Sequence, residues 1–268
     1  MSTASFARSF LFVPGTRPDR FAKALDSGAH AVIVDLEDAV DPADKPTARK
    51  QVLSWLGHHP QHRVLVRVNA SGTPWHMEDL VLASSPGVAG VVLPKAERPD
   101  EFPRVTDKTL LPIIETAVGF DHLRAIASHP AVCRILFGTY DFRADLGLGD
   151  APEALLPFSM QLVLASRLAS LQAPVDGVAV NLDDGPEALS EVRRSRAQGF
   201  GGKLCIHPRQ VGCINEGFSP TKKELSWAQR VVDALRDQAS ALVDGEFVDR
   251  PVLLRARALL AQGNIVSR

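Results

Sequence analysis

The sequence predicts an α/β protein folded as a closed (β/α)8 TIM barrel, followed by a short C-terminal helical extension. Three features carry that prediction. Eight short apolar runs occur in order, a helix-like stretch separates each pair, and the runs turn polar or charged at their exits. The runs are Ser9–Gly15, Ala31–Asp38, Arg63–Asn69, Gly90–Lys95, Leu110–Thr116, Ile135–Asp141, Val175–Asn181 and Gly202–His207. Residues 31–38 (AVIVDLED) and 110–116 (LLPIIET) read as strands buried on both faces, as a parallel sheet covered by helices requires. A barrel of this kind does its chemistry at the C-terminal ends of its strands. That geometry gathers Glu37, Asp38, Arg67, Asn69, Lys95, Glu115, Asp141, Asn181 and His207 around one mouth.

The intervening helices follow in order. The first fits Arg17–Ser27, with Pro18 in its opening turn and Gly28 as its stop. The second spans about Lys45–Leu56, with Val52, Leu53 and Trp55 as packing residues, and the third about Trp75–Ala83. A short helix follows Arg98-Pro99, and the fifth runs from about Gly119 to Ser128. The longest candidate is Pro152–Leu171, where Pro157 predicts a kink or a break after a short first segment. The seventh covers Pro186–Gln198 and closes at Gly199. After His207-Pro208 the pattern changes. An amphipathic helix is predicted over 221–241, then a turn at Asp244-Gly245 and a last helix over Pro251–Ala261. This places the barrel at 1–218 and the extension at 219–268, with the extension expected at a subunit interface.

Composition narrows the class. The formal charge is -1, from 30 Lys and Arg against 31 Asp and Glu, so no global field draws the chain to nucleic acid or to a membrane surface. No apolar run approaches the ~20 residues of a membrane helix. The first strand begins near Ser9, which leaves no room for a removable leader. Three cysteines (Cys133, Cys205, Cys213) form no disulfide framework, and a reducing, cytoplasmic setting is expected. Cys205, two residues from His207, reads as a core residue of the eighth strand, since the pair lacks further ligands at zinc spacing.

Glu115 and Asp141 are the sharpest pair. They close adjacent strands, and two carboxylates with the remaining positions filled by water and ligand oxygens are the usual way to hold Mg2+. The alternative is that each acid pairs with a Lys or Arg and stabilises the rim. Gly138 permits close backbone approach, for example by a ligand carboxylate. Arg67 ends an otherwise apolar strand, where a guanidinium can fork onto a carboxylate and offset charge on an enolate, or pair with Glu37 or Asp38. Glu37 and Asp38 would support metal-bound waters. Lys95 is open to a Schiff-base role or an electrostatic one. Lys45 and Arg49, one helical turn apart, fit either a rim phosphate site or a solvated face.

The strings LFVPGTRPDR, DLEDAV with a following K-x-x-x-R, RVN, LPKAE, IETAVG, FGTYDFRADLG and GKLCIHPRQ resemble the citrate lyase β-subunit-like family, within the HpcH/HpaI aldolase and citrate lyase group that includes malyl-CoA and citramalyl-CoA lyases. The resemblance runs from about Arg8 to Phe218. It implies a barrel that binds Mg2+ through Glu115 and Asp141, substrate contact by Arg67, and support of the metal shell by Glu37 and Asp38. The GEFVDRP segment resembles the family's C-terminal motif, which implies that Asp249 serves as a catalytic acid in a neighbouring subunit of a homo-oligomer. Tyr140 departs from the family pattern, where an acid often stands beside the metal-binding Asp. The implied reaction cleaves or forms a 3-hydroxy-acyl-CoA thioester, yielding an acyl thioester and a 2-oxo acid. The metal serves as Lewis acid and template, and Arg67 stabilises the enolate that Asp249 protonates. Rival readings are a pyruvate-type aldolase on free hydroxy-oxo acids, a lyase subunit that needs a carrier protein, and a non-catalytic acyl-CoA or 2-oxo-acid binding protein.

Overall fold

The apolar runs pair in parallel, each with its sequence neighbour, and the last returns to the first. This is seen in a computed structural model that describes residues 6–104, 108–178 and 185–266, the side chains of 264–266 excepted. The strands are β1 (Ser9–Pro14), β2 (Ala31–Asp35), β3 (Val64–Arg67), β4 (Val88–Leu93), β5 (Thr109–Ile114), β6 (Leu136–Phe137), β7 (Val175–Val178) and β8 (Gly202–Cys205). They close as β1-β2-β3-β4-β5-β6-β7-β8, with β8 paired to β1 through Ser9↔Lys203 to Leu11↔Cys205. The expected (β/α)8 barrel is therefore the observed one. Its interior is filled by Phe10, Ile33, Leu65, Val92, Leu111, Ile113, Leu136, Val175 and Leu204, all buried. The centre is a packed core, and chemistry is confined to the mouth.

The helices of this part are α1 (Phe21–Leu25), α2 (Lys45–His58), α3 (His76–Ala83), α4 (Ala117–Asp121), α5 (Leu123–Ala127), α6 (Thr139–Leu146), α7 (Leu156–Leu168), α8 (Pro186–Ala197) and α9 (Arg209–Gly217). Several differ from the sequence expectation. The first helix is shortened, because Pro18–Arg20 is a 3-10 turn leading into α1. The segment after Pro99 is likewise a single 3-10 turn. The helix expected over Gly119–Ser128 divides at His122 into α4 and α5, with the Thr116 hydroxyl capping α4 by accepting from Gly119 N at 3.1 Å. Pro157 sits in the first turn of α7 behind a 3-10 segment at Pro152–Leu155, where proline costs no hydrogen bond.

The largest correction concerns the sixth strand. It is two residues long, and Asp141 lies in the first turn of α6 rather than at a strand end. Phe142 explains this change. It is fully buried and packs edge-on to Phe137 at 5.2 Å and to Phe158 at 4.9 Å, contacts that a continuing strand would not give it. Gly147 closes α6 at φ 65°.

Two compact units are present, Met1–Asn215 and Glu216–Arg268. In the second, α10 (Lys222–Ala234) opens on a capping box between Thr221 and Glu224. It ends well before the expected residue 241. The reason is a hairpin of β9 (Ala241–Val243) and β10 (Glu246–Val248), turned by Asp244 and Gly245 at φ 55° and 83°. The last helix, α11 (Arg250–Val266), runs longer than expected. Ala228, Val231, Val243, Val248, Ala256 and Leu259 form this unit's core. Among the described residues no helix is long and apolar enough to cross a membrane.

Candidate active site

Glu115 follows β5 directly and is almost completely buried, at 3% exposure. Its Oε1 accepts the main-chain N–H of Lys95 at 2.6 Å. The carboxyl is seated against Gly138, where a Cβ would collide with Glu115 Oε2 and approach its Cβ within 2.5 Å. The space that glycine leaves is thus taken by Glu115, not by a ligand. Lys95 holds its backbone at φ 46°, a left-handed conformation uncommon outside glycine, at the exit of β4. Its ammonium stands 3.3 Å from Glu37 Oε1, 4.0 Å from Glu115 Oε1 and 3.8 Å from Asp141 Oδ1. Burial alone would lower its pKa, but the three carboxylates raise it above the ordinary lysine value. A Schiff-base lysine needs the opposite shift, so the charge-pairing role is the one this geometry supports. Burial pushes Glu115 up to about 8 and Glu37 up to about 7.

The other side of the mouth is organised around Arg67, the last residue of β3. Its Nε and Nη2 donate to Asp35 Oδ1 and Oδ2 at 2.7 and 2.6 Å, a two-pronged pair. Its Nη1 lies 3.0 Å from Glu37 Oε2 and 3.3 Å from Asp38 Oδ2, and the guanidinium stacks over the Phe12 ring at 4.8 Å. Burial works against the charge, yet the Asp35 pair raises the Arg67 pKa overall. Asp35 also accepts the N–H groups of Glu37 at 2.9 Å and Ala39 at 3.1 Å. One carboxylate therefore sets both the arginine and the loop that carries Glu37 and Asp38. That loop is gripped from behind as well. Lys45 Nζ donates to the carbonyls of Leu36 and Glu37 at 2.9 and 3.1 Å, and Asn69 Nδ2 donates to that of Leu36 at 2.8 Å.

These contacts correct the expectation for Lys45 and Arg49. Neither lies on a solvated face, with exposures of 5% and 7%. Arg49 is committed to Asp79 at 2.9 Å and to Glu78, and Asp79 in turn accepts from Asn69. Lys45 braces the loop and Arg49 is engaged by Asp79 and Glu78, so both cations are already committed within the protein. Sequence reasoning missed Asp35 and Asp79. Asp35 did leave a signal, as an acid inside the otherwise apolar AVIVD strand.

The structure thus brings Glu37, Asp38, Arg67, Lys95, Glu115 and Asp141 together. Glu37 and Asp38 lie in the loop after β2, not on the strand itself. Cys205 is a buried core thiol bonded to Phe10 O at 3.4 Å, pushed by burial up to about 12. His207 accepts from Arg209 N through Nδ1, beside the Gln210 side chain, in the turn after β8. Tyr140 lines a cavity of about 480 Å³ together with Arg143, Asp176, Glu191 and Lys203. Asp249 precedes α11 in the second unit and accepts from Val252 N at 3.4 Å. Asn181 lies outside the described residues.

The donor set fits Mg2+ on chemical grounds. Glu115 and Asp141 offer hard oxygens beside one ammonium, and Glu37 Oε2 is buried without a hydrogen bond, since its arginine neighbour lacks hydrogen-bond geometry. Among the described residues no group of three or more His, Cys, Asp or Glu forms a ready metal cage. Mg2+ needs none, because it keeps several waters and takes one or two carboxylates.

Comparison with known proteins agrees with this picture. The profile of the HpcH/HpaI aldolase/citrate lyase family matches residues 8–208. A citrate lyase subunit beta-like protein of Deinococcus radiodurans is 36% identical, over 95% of this chain and 96% of its own length. A (3S)-malyl-CoA thioesterase of Cereibacter sphaeroides is 32% identical, over 97% of this chain and 95% of its own. Among solved structures, CitE of Mycobacterium tuberculosis in complex with magnesium, acetoacetate and coenzyme A superimposes with a TM-score of 0.85 at 31% identity, covering 97% of this chain and 99% of that one.

Proposed function

The chain belongs to the HpcH/HpaI aldolase/citrate lyase family and is a lyase, and from that premise we propose a magnesium-dependent cleavage or formation of a 3-hydroxy-acyl-CoA thioester. Malyl-CoA, citramalyl-CoA and citryl-CoA are the substrates to test, each giving an acyl thioester and a 2-oxo acid. The observation that carries this reading is the division of the mouth. A buried carboxylate, Glu115, and a half-exposed one, Asp141, meet at Lys95, and the same mouth holds an arginine already fixed by Asp35. The CitE complex with magnesium, acetoacetate and coenzyme A supports the ligand classes by similarity.

Each residue then has a role. Glu115 and Asp141 would hold Mg2+, and Glu37 and Asp38 would support that site. When bound, Mg2+ polarises the substrate oxygens and fixes their orientation. Arg67 keeps part of its fork free of Asp35 and meets the charge that develops as the carbon–carbon bond breaks. The hydroxyl proton passes to solvent water, the O–H electrons form the carbonyl of the 2-oxo acid, the carbon–carbon bond electrons pass to the thioester as an enolate, and an acid that regains its proton from solvent protonates the enolate carbon. We assign that acid to Asp249 of a second protomer, which makes the active form a homo-oligomer with the C-terminal unit at its interface. A carrier-protein partner belongs to the same proposal as an alternative source of the thioester, and the setting proposed is the cytoplasm.

The test is mass spectrometry of the purified protein with each thioester, in Mg2+ and in EDTA. Metal-dependent release of a 2-oxo acid is the expected result. Release of free CoA and the intact hydroxy acid would favour thioester hydrolysis, the activity in the name of the Cereibacter relative. Turnover of free hydroxy-oxo acids alone would select the aldolase reading. Ligand binding without any product would select a binding protein.

A further inference from the structure

Three acids, Glu115 and Asp141 from the β5–β6 side of the mouth and Glu37 from the loop after β2, surround one ammonium. Lys95 Nζ lies 3.3, 4.0 and 3.8 Å from single oxygens of Glu37, Glu115 and Asp141, so it stands among the oxygens that offer a site for a divalent ion. A cation bound to Glu115 and Asp141 would face a like charge a few ångströms away. The lysine backbone is not free to relieve this. Its N–H is tied to Glu115 Oε1 at 2.6 Å, and its φ of 46° is already held in an uncommon region. The side chain can move, because it is 40% exposed on a four-carbon stem and among the described residues makes one hydrogen bond, to Glu37 at 3.3 Å.

We infer that Lys95 is a built-in rival of the divalent cation, an internal counter-ion that neutralises the acid cluster and must swing away for the metal to bind. The inference rests on the assignment of Glu115 and Asp141 as the metal pair. It has an unusual sign. Removing a lysine that merely supported the site would weaken metal binding, whereas removing a rival tightens it. The cost of the rivalry is weaker metal binding, and its return is an acid cluster that stays paired when metal is scarce.

The experiment is isothermal titration of the full chain with MgCl2, and with MnCl2 as a second probe, in wild type, Lys95→Met, Lys95→Arg and Glu115→Gln. Lys95→Met keeps the unbranched stem and the backbone conformation while deleting the charge. The expected result is Mg2+ binding at least roughly tenfold tighter in Lys95→Met, since one nearby charge shifts an ionic equilibrium by about one to three decades. Lys95→Arg keeps the charge and should stay within about threefold of wild type, measured on the same equilibrium. Unchanged or weaker binding in Lys95→Met, with a melting profile like that of wild type, overturns the inference while leaving the metal pair intact. Wild-type binding that persists in Glu115→Gln overturns the metal pair itself, and the rivalry falls with it. Should Lys95→Met lose stability, the melting temperature with and without Mg2+ decides: a larger Mg2+-induced rise than in wild type supports the rivalry, and an equal or smaller one refutes it.

Discussion

On the β2–β3 side of the mouth, Asp35 accepts two bonds from Arg67 and two from the Glu37–Ala39 loop, and Lys45 and Asn69 hold that loop's carbonyls. On the β4–β6 side, a single half-exposed lysine is divided among Glu37, Glu115 and Asp141. On the first side the Asp35–Arg67 pair and the loop's backbone groups are saturated, so the aim of the arginine is fixed before any substrate arrives, whereas Glu37 Oε2 is buried without a hydrogen bond and belongs with the acids around Lys95. The second half is under-paired, and burial pushes Glu115 up to about 8 because no full counter-charge reaches it. The contrast separates the two tasks of a lyase site. Positioning is assigned to groups that are already satisfied, and ion binding to groups that are not.

The largest effect expected from breaking this contrast is on the under-paired side. Glu115→Gln keeps the acceptor for Lys95 N–H and removes the charge. Loss of several kcal/mol of metal stabilisation predicts a fall in Mg2+-dependent turnover on the order of a thousandfold. Circular dichroism should show the fold unchanged, and titration should show no Mg2+ binding. Next in size is the saturated side. Asp35→Asn exchanges an acceptor for an amide that cannot take both prongs of Arg67, and a misaimed fork predicts a kcat loss of roughly a hundredfold. Mg2+ affinity should stay near wild type, because Asp35 touches none of the metal pair. The same substitution in an Arg67→Lys background should cost little more, and additive losses in that cycle would separate Asp35 from Arg67.

A smaller effect tests the seat of Glu115. Gly138→Ala places a Cβ against the Glu115 carboxyl, which predicts a destabilisation of about 1–3 kcal/mol from overpacking, read by urea unfolding, together with weaker Mg2+ binding. Gly149→Ala is the control, since nothing lies within 4 Å of its added methyl. Equal losses in the two variants would refute the special role of Gly138.

The barrel was legible in the sequence because strands buried on both faces leave continuous apolar runs, and Glu115 was legible because it ends one. Asp141 was recognised in type and misplaced in structure. FGTYDF has the composition of a strand, and only the aromatic contacts of Phe142 with Phe137 and Phe158 turn it into a helix start. Lys45 and Arg49 read as solvated or phosphate-binding because their partners, the Leu36 and Glu37 carbonyls and Asp79, lie 8 to 30 residues away. Asp35 was overlooked for a related reason. Beside Glu37 and Asp38 it reads as one more exit acid, and its four bonds come from Arg67 and from its own loop. Periodicity reports which face is buried, and it carries no record of which buried charge meets which.

The smallest predicted effect is on stability, and its sign distinguishes the two halves most directly. In EDTA, the raised pKa of Glu115 means that the folded protein keeps a proton that the unfolded chain has already released above its ordinary value near 4.5. Stability falls with pH wherever the folded state binds more protons, so Glu115 withdraws stability progressively between about pH 4.5 and pH 8. Burial pushes Glu37 in the same direction, up to about 7. Glu115→Gln has no charge to desolvate, and should therefore melt a few degrees above wild type at pH 8, with the gap closing toward pH 5. Saturating Mg2+ should reverse the order at pH 8 by stabilising wild type alone. Asp35→Asn should behave in the opposite way, melting below wild type at pH 8 because its carboxylate is bonded to Arg67 rather than stranded. If both variants shifted the same way in EDTA, burial rather than pairing would govern both sides of the mouth.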